Sequence, residues 1–208
     1  MSDTPTRILE AAWALVLERG TVDVTVADIA AAAGVSRQLV YFHFENRAGL
    51  LAAMARHHDA QSGFRERIAG ARELPPTEGL EGLLRAWLAY VPEILPVARA
   101  LEAAEIAGED GGAAWRDRME SLREVFRGAV ARVAADGRLA EGWTVETAAD
   151  WVWARSHLEA WQHLVGERGW SPEDYVERSV RSILAEVLAP APRGSSSRKN
   201  VAKNHSNG

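Results

Sequence analysis

Residues 25–47 read TVADIAAAAGVSRQLVYFHFENR. This segment predicts two short helices joined by a tight turn. Thr25, followed by Asp28, has the pattern of a capping box at the start of the first helix. Gly34 lies where that helix must end, since glycine adopts a positive φ at little cost. Ser36 is the expected N-cap of the second helix. Two helices joined in this way are typical of a helix-turn-helix, in which the second helix enters the major groove of DNA.

The second helix of this segment has two distinct sides. Val40 and Phe44 are four residues apart and are expected to face the core. Arg37, Gln38 and Tyr41 lie on the opposite side, near the N-terminal end. That end usually meets the base edges.

A third helix is expected after the aromatic cluster. Asn46 can cap it, and Arg47 in its first turn can reach a phosphate where free backbone N–H groups favour an anion. Tyr41 and His43 can also donate to phosphates, and such contacts fix register rather than sequence preference. As an alternative, the aromatic residues are core and the arginines are ordinary surface cations. The presence of the caps, the turn glycine and the aromatic run in one register favours DNA binding.

The runs 24–30, 33–36, 40–44, 46–47 and 50–51 resemble the DNA-binding domain of TetR-family transcriptional regulators, over residues 6–54. The matching core and turn positions are Ile29, Ala30, Gly34, Val35, Phe44 and Leu50. Phe42 departs from the family, whose members often carry a hydroxyl or indole donor there. The resemblance implies phosphate contacts, whereas the base-reading positions vary within the family. The candidate DNA contacts are Thr25, Ser36, Arg37, Gln38, Leu39, Tyr41, Phe42, His43 and Arg47.

The composition sets limits on the partners. The 208-residue chain has no cysteine, which excludes disulfides and thiolate metal sites, and its formal net charge is −5. Within residues 25–47 the formal charges cancel, so we expect moderate DNA affinity with a shallow salt dependence. No apolar run of about eighteen residues and no secretory leader pattern is visible, so we expect a cytoplasmic protein without a membrane partner.

The periodicity of the whole chain predicts an all-α fold of about nine helices. We expect a homeodomain-like helix-turn-helix DNA-binding domain (1–46), a helical-bundle effector and dimerisation domain (47–190) and a basic disordered tail (191–208). The tail holds both lysines of the chain, and we assign it no function. The expected helices are 6–19, 26–33, 37–43, 47–69, 78–91, a sixth to about 106 with a kink or new start at Pro92 and Pro96, 113–135, 145–165 and 172–188.

The TetR resemblance implies that residues 80–188 bind a small effector and form a homodimer. The residues alone support only a helical bundle, and tryptophans in bundles are more often core or dimer packing than ligand contacts. A pocket would be mostly apolar with a few orienting polar groups. Its candidate residues are Trp87, Tyr90, Glu102, Glu105, Phe126, Trp151 and His157.

Two apolar stripes near the end of the chain predict a subunit interface. A two-fold pair of such helices would make an isologous four-helix contact. In the alternative, both stripes face the core of their own protomer. The stripe residues are Trp153, His157, Ala160, Leu164, Val176, Val180, Ile183, Leu184 and Val187.

The sequence therefore predicts a ligand-responsive repressor that binds a palindromic operator in double-stranded DNA as a homodimer. Its two recognition helices would enter major grooves about 34–36 Å apart. The chain has no phosphate-binding glycine loop, no Gly-x-Ser-x-Gly and no zinc-spaced histidine pair, so no enzyme activity, cofactor or metal is expected. The rival interpretation is a helical small-molecule-binding protein or adaptor with weak or lost DNA binding.

Overall fold

The computed structural model describes residues 3–109 and 111–190, and this part of the chain has the expected all-α fold. Three short helices precede the larger bundle. The helices are α1 (Thr4–Arg19), α2 (Val26–Ala33), α3 (Arg37–His43), α4 (Arg47–Gln61), α5 (Phe64–Glu73), α6 (Pro76–Ala107), α7 (Gly111–Ala135), α8 (Val145–Arg155), α9 (Leu158–Trp161) and α10 (Pro172–Val187). The basic tail predicted over 191–208 lies outside the described residues.

The N-terminal helices pack around one small core. Ile8 of α1, Ile29 of α2 and Leu50 of α4 have no exposed surface, and Val40 of α3 is almost fully buried. Each such side chain stabilises the fold by about 1.5–3 kcal/mol relative to an exposed position. The start of α4 therefore packs on the helix-turn-helix, although the predicted domain boundary assigns α4 to the larger domain. The division at residue 46 stays a prediction.

The prediction of one helix over 47–69 is wrong, because this segment forms two helices. α4 ends at Gln61, and Gly63 then adopts a φ of +70° before α5 begins. The Ser62 hydroxyl accepts a hydrogen bond from the backbone N–H of Phe64 at 3.3 Å. The Phe64 ring then stacks on Tyr90 with centroids 4.5 Å apart. The apolar periodicity continues across the turn, which is why the sequence pattern did not reveal it.

The two helices expected on either side of Pro92 and Pro96 are one helix, α6, and a new start at these prolines is therefore wrong. Both prolines are exposed, so the backbone carbonyls that lose their N–H partners there can meet water. The opposite face, including Val91 and Ile94, stays buried through the same turns. Burial of this continuous apolar face outweighs the helix-breaking tendency of proline.

The helix expected over 145–165 is also interrupted. α8 ends at Arg155, and the fully buried Ser156 separates it from α9, which continues into a π-helical turn at Gln162–Glu167. The Ser156 carbonyl accepts a hydrogen bond from the Trp87 indole N–H at 2.8 Å. The break thus frees a backbone carbonyl that satisfies a buried tryptophan of α6.

The last helix begins where its capping signal indicated. The Ser171 hydroxyl accepts from the backbone N–H of Asp174 at 3.0 Å, and Pro172 occupies the first turn. After α10, Leu188 forms an isolated antiparallel bridge with Leu139. No helix in the described ranges is both long enough and apolar enough to cross a bilayer.

Candidate nucleic-acid interface and effector cavity

The start of α2 is held by a reciprocal cap. The Thr25 hydroxyl accepts from the Asp28 backbone N–H at 3.1 Å, and the Asp28 carboxylate accepts from the Thr25 backbone N–H at 3.0 Å. Arg19 of α1 also donates to that carboxylate, at 3.1 Å. The pKa of Asp28 falls to about 2. The largest cause is the hydrogen bond from the Thr25 backbone, followed by the side-chain hydrogen bonds from Arg19 and Thr25 and by the charge of Arg19. The predicted capping box is confirmed, and it ties α1 to α2.

The turn between α2 and α3 is the one that the sequence indicated. Gly34 has a φ of +65°, and the backbone N–H of Val35 donates to the Ala30 carbonyl at 2.9 Å. The Arg7 guanidinium of α1 donates to the Ala33 carbonyl at 2.7 Å, at the end of α2. The Ser36 hydroxyl accepts from the Leu39 backbone N–H at 3.2 Å and starts α3. These bonds fix the direction in which α3 leaves the turn.

The outer face of α3 carries large exposed side chains. Phe42 is 79% exposed and Tyr41 51% exposed, while Arg37 and Gln38 at the N-terminal end are also exposed. For Tyr41 and Phe42 the alternative of aromatic core is therefore wrong. Leu39, His43 and Phe44 are half-buried, and Phe44 packs against the core as expected.

Arg47, a predicted phosphate contact, forms hydrogen bonds within the protein. Its Nε donates to the Val24 carbonyl at 3.2 Å, and Nη2 donates to the Val22 carbonyl. The half-buried side chain thus joins the first turn of α4 to the segment between α1 and α2. The guanidinium therefore has a structural role, because it satisfies backbone carbonyls of its own domain, and its contact with a phosphate stays a prediction.

A cavity of about 400 Å³ lies between α4, α5, α6 and α7. This volume is within the range of small-molecule sites. Its apolar wall consists of Phe64, Ile68, Trp87, Met119, Leu122 and Val125. Its charged residues are Arg56 and Asp59 of α4, Arg65 and Arg72 of α5, and Asp117 and Arg118 of α7. We call this space the α5 cavity.

Of the predicted pocket residues, only Trp87 lines the α5 cavity. Tyr90 lies beside it, and its hydroxyl donates to the Asp59 carboxylate at 2.8 Å. Phe126 is fully buried in the core. Trp151 is 38% exposed on α8 and donates to the Glu186 carboxylate at 2.6 Å. The predicted set therefore does not form one pocket around this cavity.

The polar members of that set lie elsewhere. Glu105 pairs with Arg116 at 3.3 Å, whereas Glu102 and His157 come together with Glu159. The ligand atoms of the latter three lie within 4.8 Å of one another, a spacing that could hold a divalent cation. Burial, followed by the nearby Glu159 charge, raises the pKa of Glu102. The chain was expected to bind no metal, and this cluster carries no further evidence of one.

The predicted interface stripes divide into two groups. Val180, Ile183 and Val187 of α10 are buried in the core of their own protomer, which corrects their assignment to a subunit interface. They have this position because α10 packs on α6 and α8. Half-buried stripe residues keep surface for a partner: Trp153, His157, Ala160, Leu164, Val176 and Leu184.

The sequence interpretation missed the charged residues of the α5 cavity. Arg65, Ile68, Ala69 and Arg72 follow the i, i+3, i+4, i+7 spacing of one helix face. That spacing could have indicated a separate amphipathic face, had the break at Gly63 been recognised.

The α2–turn–α3 geometry, with a capped and exposed second helix, defines a helix-turn-helix protein. Residues 8–54 match the family model described as bacterial regulatory proteins, tetR family. The chain is 27% identical to the HTH-type transcriptional repressor BepR of Brucella suis biovar 1 (strain 1330), over 91% of this chain and 94% of BepR. Residues 8–54 thus carry a helix-turn-helix domain similar to that of the tetR family, and the chain as a whole is similar to a transcriptional repressor.

Solved structures share the complete fold. A transcriptional regulator from Saccharomonospora viridis, solved in complex with choline, superposes with a TM-score of 0.71 at 20% identity, covering 91% of this chain and all of that one. NalD of Pseudomonas aeruginosa, the secondary repressor of the MexAB-OprM multidrug efflux pump, gives a TM-score of 0.66 at 24% identity over 89% of this chain and 96% of NalD. At these identities the likeness concerns the fold.

Proposed function

We propose that the protein is a homodimeric repressor that binds a palindromic operator through α3 and is released by a small effector in the α5 cavity. The observation that carries this proposal is the outer face of α3, where Tyr41 and Phe42 are exposed beside the exposed Arg37 and Gln38. Adjacent exposed apolar side chains are typical of an interaction surface. The relatives described as repressors support repression rather than activation.

On the operator, α3 divides its contacts by type. Arg37 and Gln38 are at the N-terminal end, which is placed to meet base edges, where arginine pairs with guanine and glutamine with adenine. Tyr41 donates its hydroxyl to a phosphate and fixes the register. Phe42 has no donor, so its contribution is an apolar contact with sugar or a thymine methyl group.

The proposed dimer uses the half-buried side of α9 and α10. Ala160 and Leu164 on the segment from α9, and Val176 and Leu184 on α10, keep part of their apolar surface exposed. Trp170, which is 39% exposed, lies between these two segments in the chain. An isologous contact would cover these surfaces in both protomers. Replacement of Leu164 by glutamate is expected to yield a monomer in light-scattering measurements, and an unchanged dimer would exclude this surface.

α4 is the natural link between effector and operator. It begins beside the DNA-binding helices at Arg47 and ends at Asp59 and Gln61, next to the α5 cavity. A second contact joins the same regions, since the His58 ring of α4 stacks on Trp13 of α1 with centroids 3.5 Å apart. An effector must bind the two conformers with different affinity in order to shift their populations.

The decisive experiment is selection of genomic DNA fragments by the full chain, followed by gel-shift titration of the selected operator. Gln38→Ala and Tyr41→Ala are expected to weaken binding, Gln38→Ala by about 1–3 kcal/mol per lost base contact. Arg99→Ala, at an exposed position of α6, is the control and should bind as the parent protein does. Selection of no specific fragment, or equal affinity of all three variants, would contradict the proposal.

One observation favours the rival function of a small-molecule-binding adaptor. The formal charges of residues 25–47 cancel, and Arg47 donates to backbone carbonyls within the protein. An adaptor would bind an effector in the α5 cavity but would give the same gel-shift result with selected and scrambled DNA. A repressor acting on genomic DNA would work in the cytoplasm, and this location stays a prediction.

A further inference from the structure

The α5 cavity is amphipathic. Phe64, Trp87, Met119 and Leu122 are buried and form an apolar base. The charged side chains and Ser121 complete the lining. A ligand that fills this space therefore needs an apolar body and a polar end.

The charges around the cavity are predominantly positive, with four arginines and two aspartates. Arg56 pairs with Asp117 at 3.9 Å, and Arg118 pairs with Asp59. Within the described residues, Arg65 and Arg72 have no carboxylate within 4.0 Å. These two side chains are seven residues apart on α5, so they extend from the same helix face. In the described part of the chain, no carboxylate therefore pairs with these two positive charges.

We propose that the effector of this cavity is an organic acid with an apolar body, and that its carboxylate competes with Asp59 for Arg118. The inference rests on the proposed function in that the α5 cavity is the effector site. Arginine is suited to the recognition because its planar guanidinium can form two parallel hydrogen bonds with a carboxylate. Arg65 and Arg72 attract the acid, while Arg118 receives it.

The Asp59–Arg118 pair gives such a ligand a route to the DNA-binding helices. Its side chains are only 15% and 14% exposed, and it joins the last turn of α4 to α7. Asp59 also accepts a hydrogen bond from the Tyr90 hydroxyl of α6. A ligand carboxylate that takes Arg118 leaves Asp59 with that hydroxyl alone. Because a buried carboxylate without its cation is unfavourable, the end of α4 moves toward solvent.

A cationic effector is the alternative, because two aspartates and aromatic rings line or flank the same space. The choline complex of the Saccharomonospora viridis regulator shows that this fold can hold a quaternary ammonium. In the present chain both aspartates already pair with arginines, and the excess charge is positive. The charge balance therefore favours the anion.

The test uses three probes with one alkyl chain, namely decanoate, 1-decanol and decyltrimethylammonium, titrated calorimetrically into the full chain without DNA. Decanoate is expected to bind at least about tenfold more tightly than decanol, the ratio that corresponds to one hydrogen bond between charged groups. Tighter binding of decyltrimethylammonium would overturn the proposal in favour of a cation. Equal binding of all three, or no binding of decanoate, would also overturn it.

Two variants locate the site. Arg65→Gln combined with Arg72→Gln should weaken decanoate binding about tenfold and leave decanol binding unchanged. Arg99→Gln, an exposed arginine of α6 outside the cavity lining, is the matched control. The same loss in the control, or no loss in the double variant, would place the acid elsewhere and overturn the assignment.

The competition for Arg118 is measured as movement of α4. Because the chain has no cysteine, Ala60→Cys on α4 and Glu120→Cys on α7 can carry a pair of spin labels. Decanoate should change the distribution of distances between the two spin labels. The double variant Asp59→Asn/Arg118→Gln should abolish that change, and it leaves no unpaired charge in place of the ion pair. An unchanged distribution at saturating decanoate would exclude the competition. Since no operator is used, failure of DNA binding would not imitate this result.

Discussion

The caps of the helix-turn-helix and the buried aromatic contacts of the larger bundle differ in the sequence distance over which they act. In the first, Thr25 caps Asp28 and Ser36 caps Leu39, each across three residues. In the second, Trp87 bonds the Ser156 carbonyl across 69 residues, and Tyr90 bonds Asp59 across 31. Local bonds define short helices before any tertiary packing exists. Distant bonds exist only after the bundle has assembled, so they depend on the packing of whole helices.

The largest expected effect tests the distant contacts. Trp87→Ala removes a buried side chain that is 2% exposed and also leaves the Ser156 carbonyl without its donor. The free energy of unfolding should fall by about 3–5 kcal/mol, measured by urea denaturation. Ile106→Ala, at an 85% exposed position, is the control and should change it by less than about 0.5 kcal/mol. Equal effects would mean that the long-range contacts contribute little.

A smaller effect is expected at the turn of the helix-turn-helix. Gly34→Ala forces alanine to a φ of +65°, although the added methyl group has room, with its nearest neighbour at 3.8 Å. Backbone strain should cost about 1–2 kcal/mol and weaken operator binding. Gly70→Ala, in an exposed helical position with open space, should instead stabilise by about 0.5–1 kcal/mol. Thermal unfolding measures the stability of both variants against the parent protein. If both substitutions changed the stability in the same direction, the turn would not be strained.

The smallest effect is a pH dependence of the α2 cap. The pKa of Asp28 falls from 3.8 to about 2 on folding, so its ionised form stabilises the native state above pH 4. This contribution is lost as the pH falls through about 2, since both states then bind the proton. The difference in melting temperature between the parent and Asp28→Asn should narrow over that interval. A difference that is constant with pH would show that the Asp28 charge does not support the cap.

The local bonds explain which parts of the molecule could be predicted. The residues of α2, Gly34, Ser36 and the start of α10 were all anticipated, because each depends on a cap or turn within a few positions. The break at Gly63 and the continuity of α6 through its prolines depend on what packs against them. The α5 cavity combines residues from four helices, and its charges emerge only when α4, α5 and α7 meet. No local pattern contains that information.

The bonds of Arg47 to two backbone carbonyls have a consequence for counterion release. DNA binding frees roughly 0.9 ions for each phosphate that a protein cation neutralises. With Arg47 donating to Val22 and Val24, residues 25–47 present Arg37 as the cation of the recognition surface. A dimer would then release about two ions through this segment, half the number that its arginines suggest. The affinity of such a complex would fall only slightly as the potassium concentration rises.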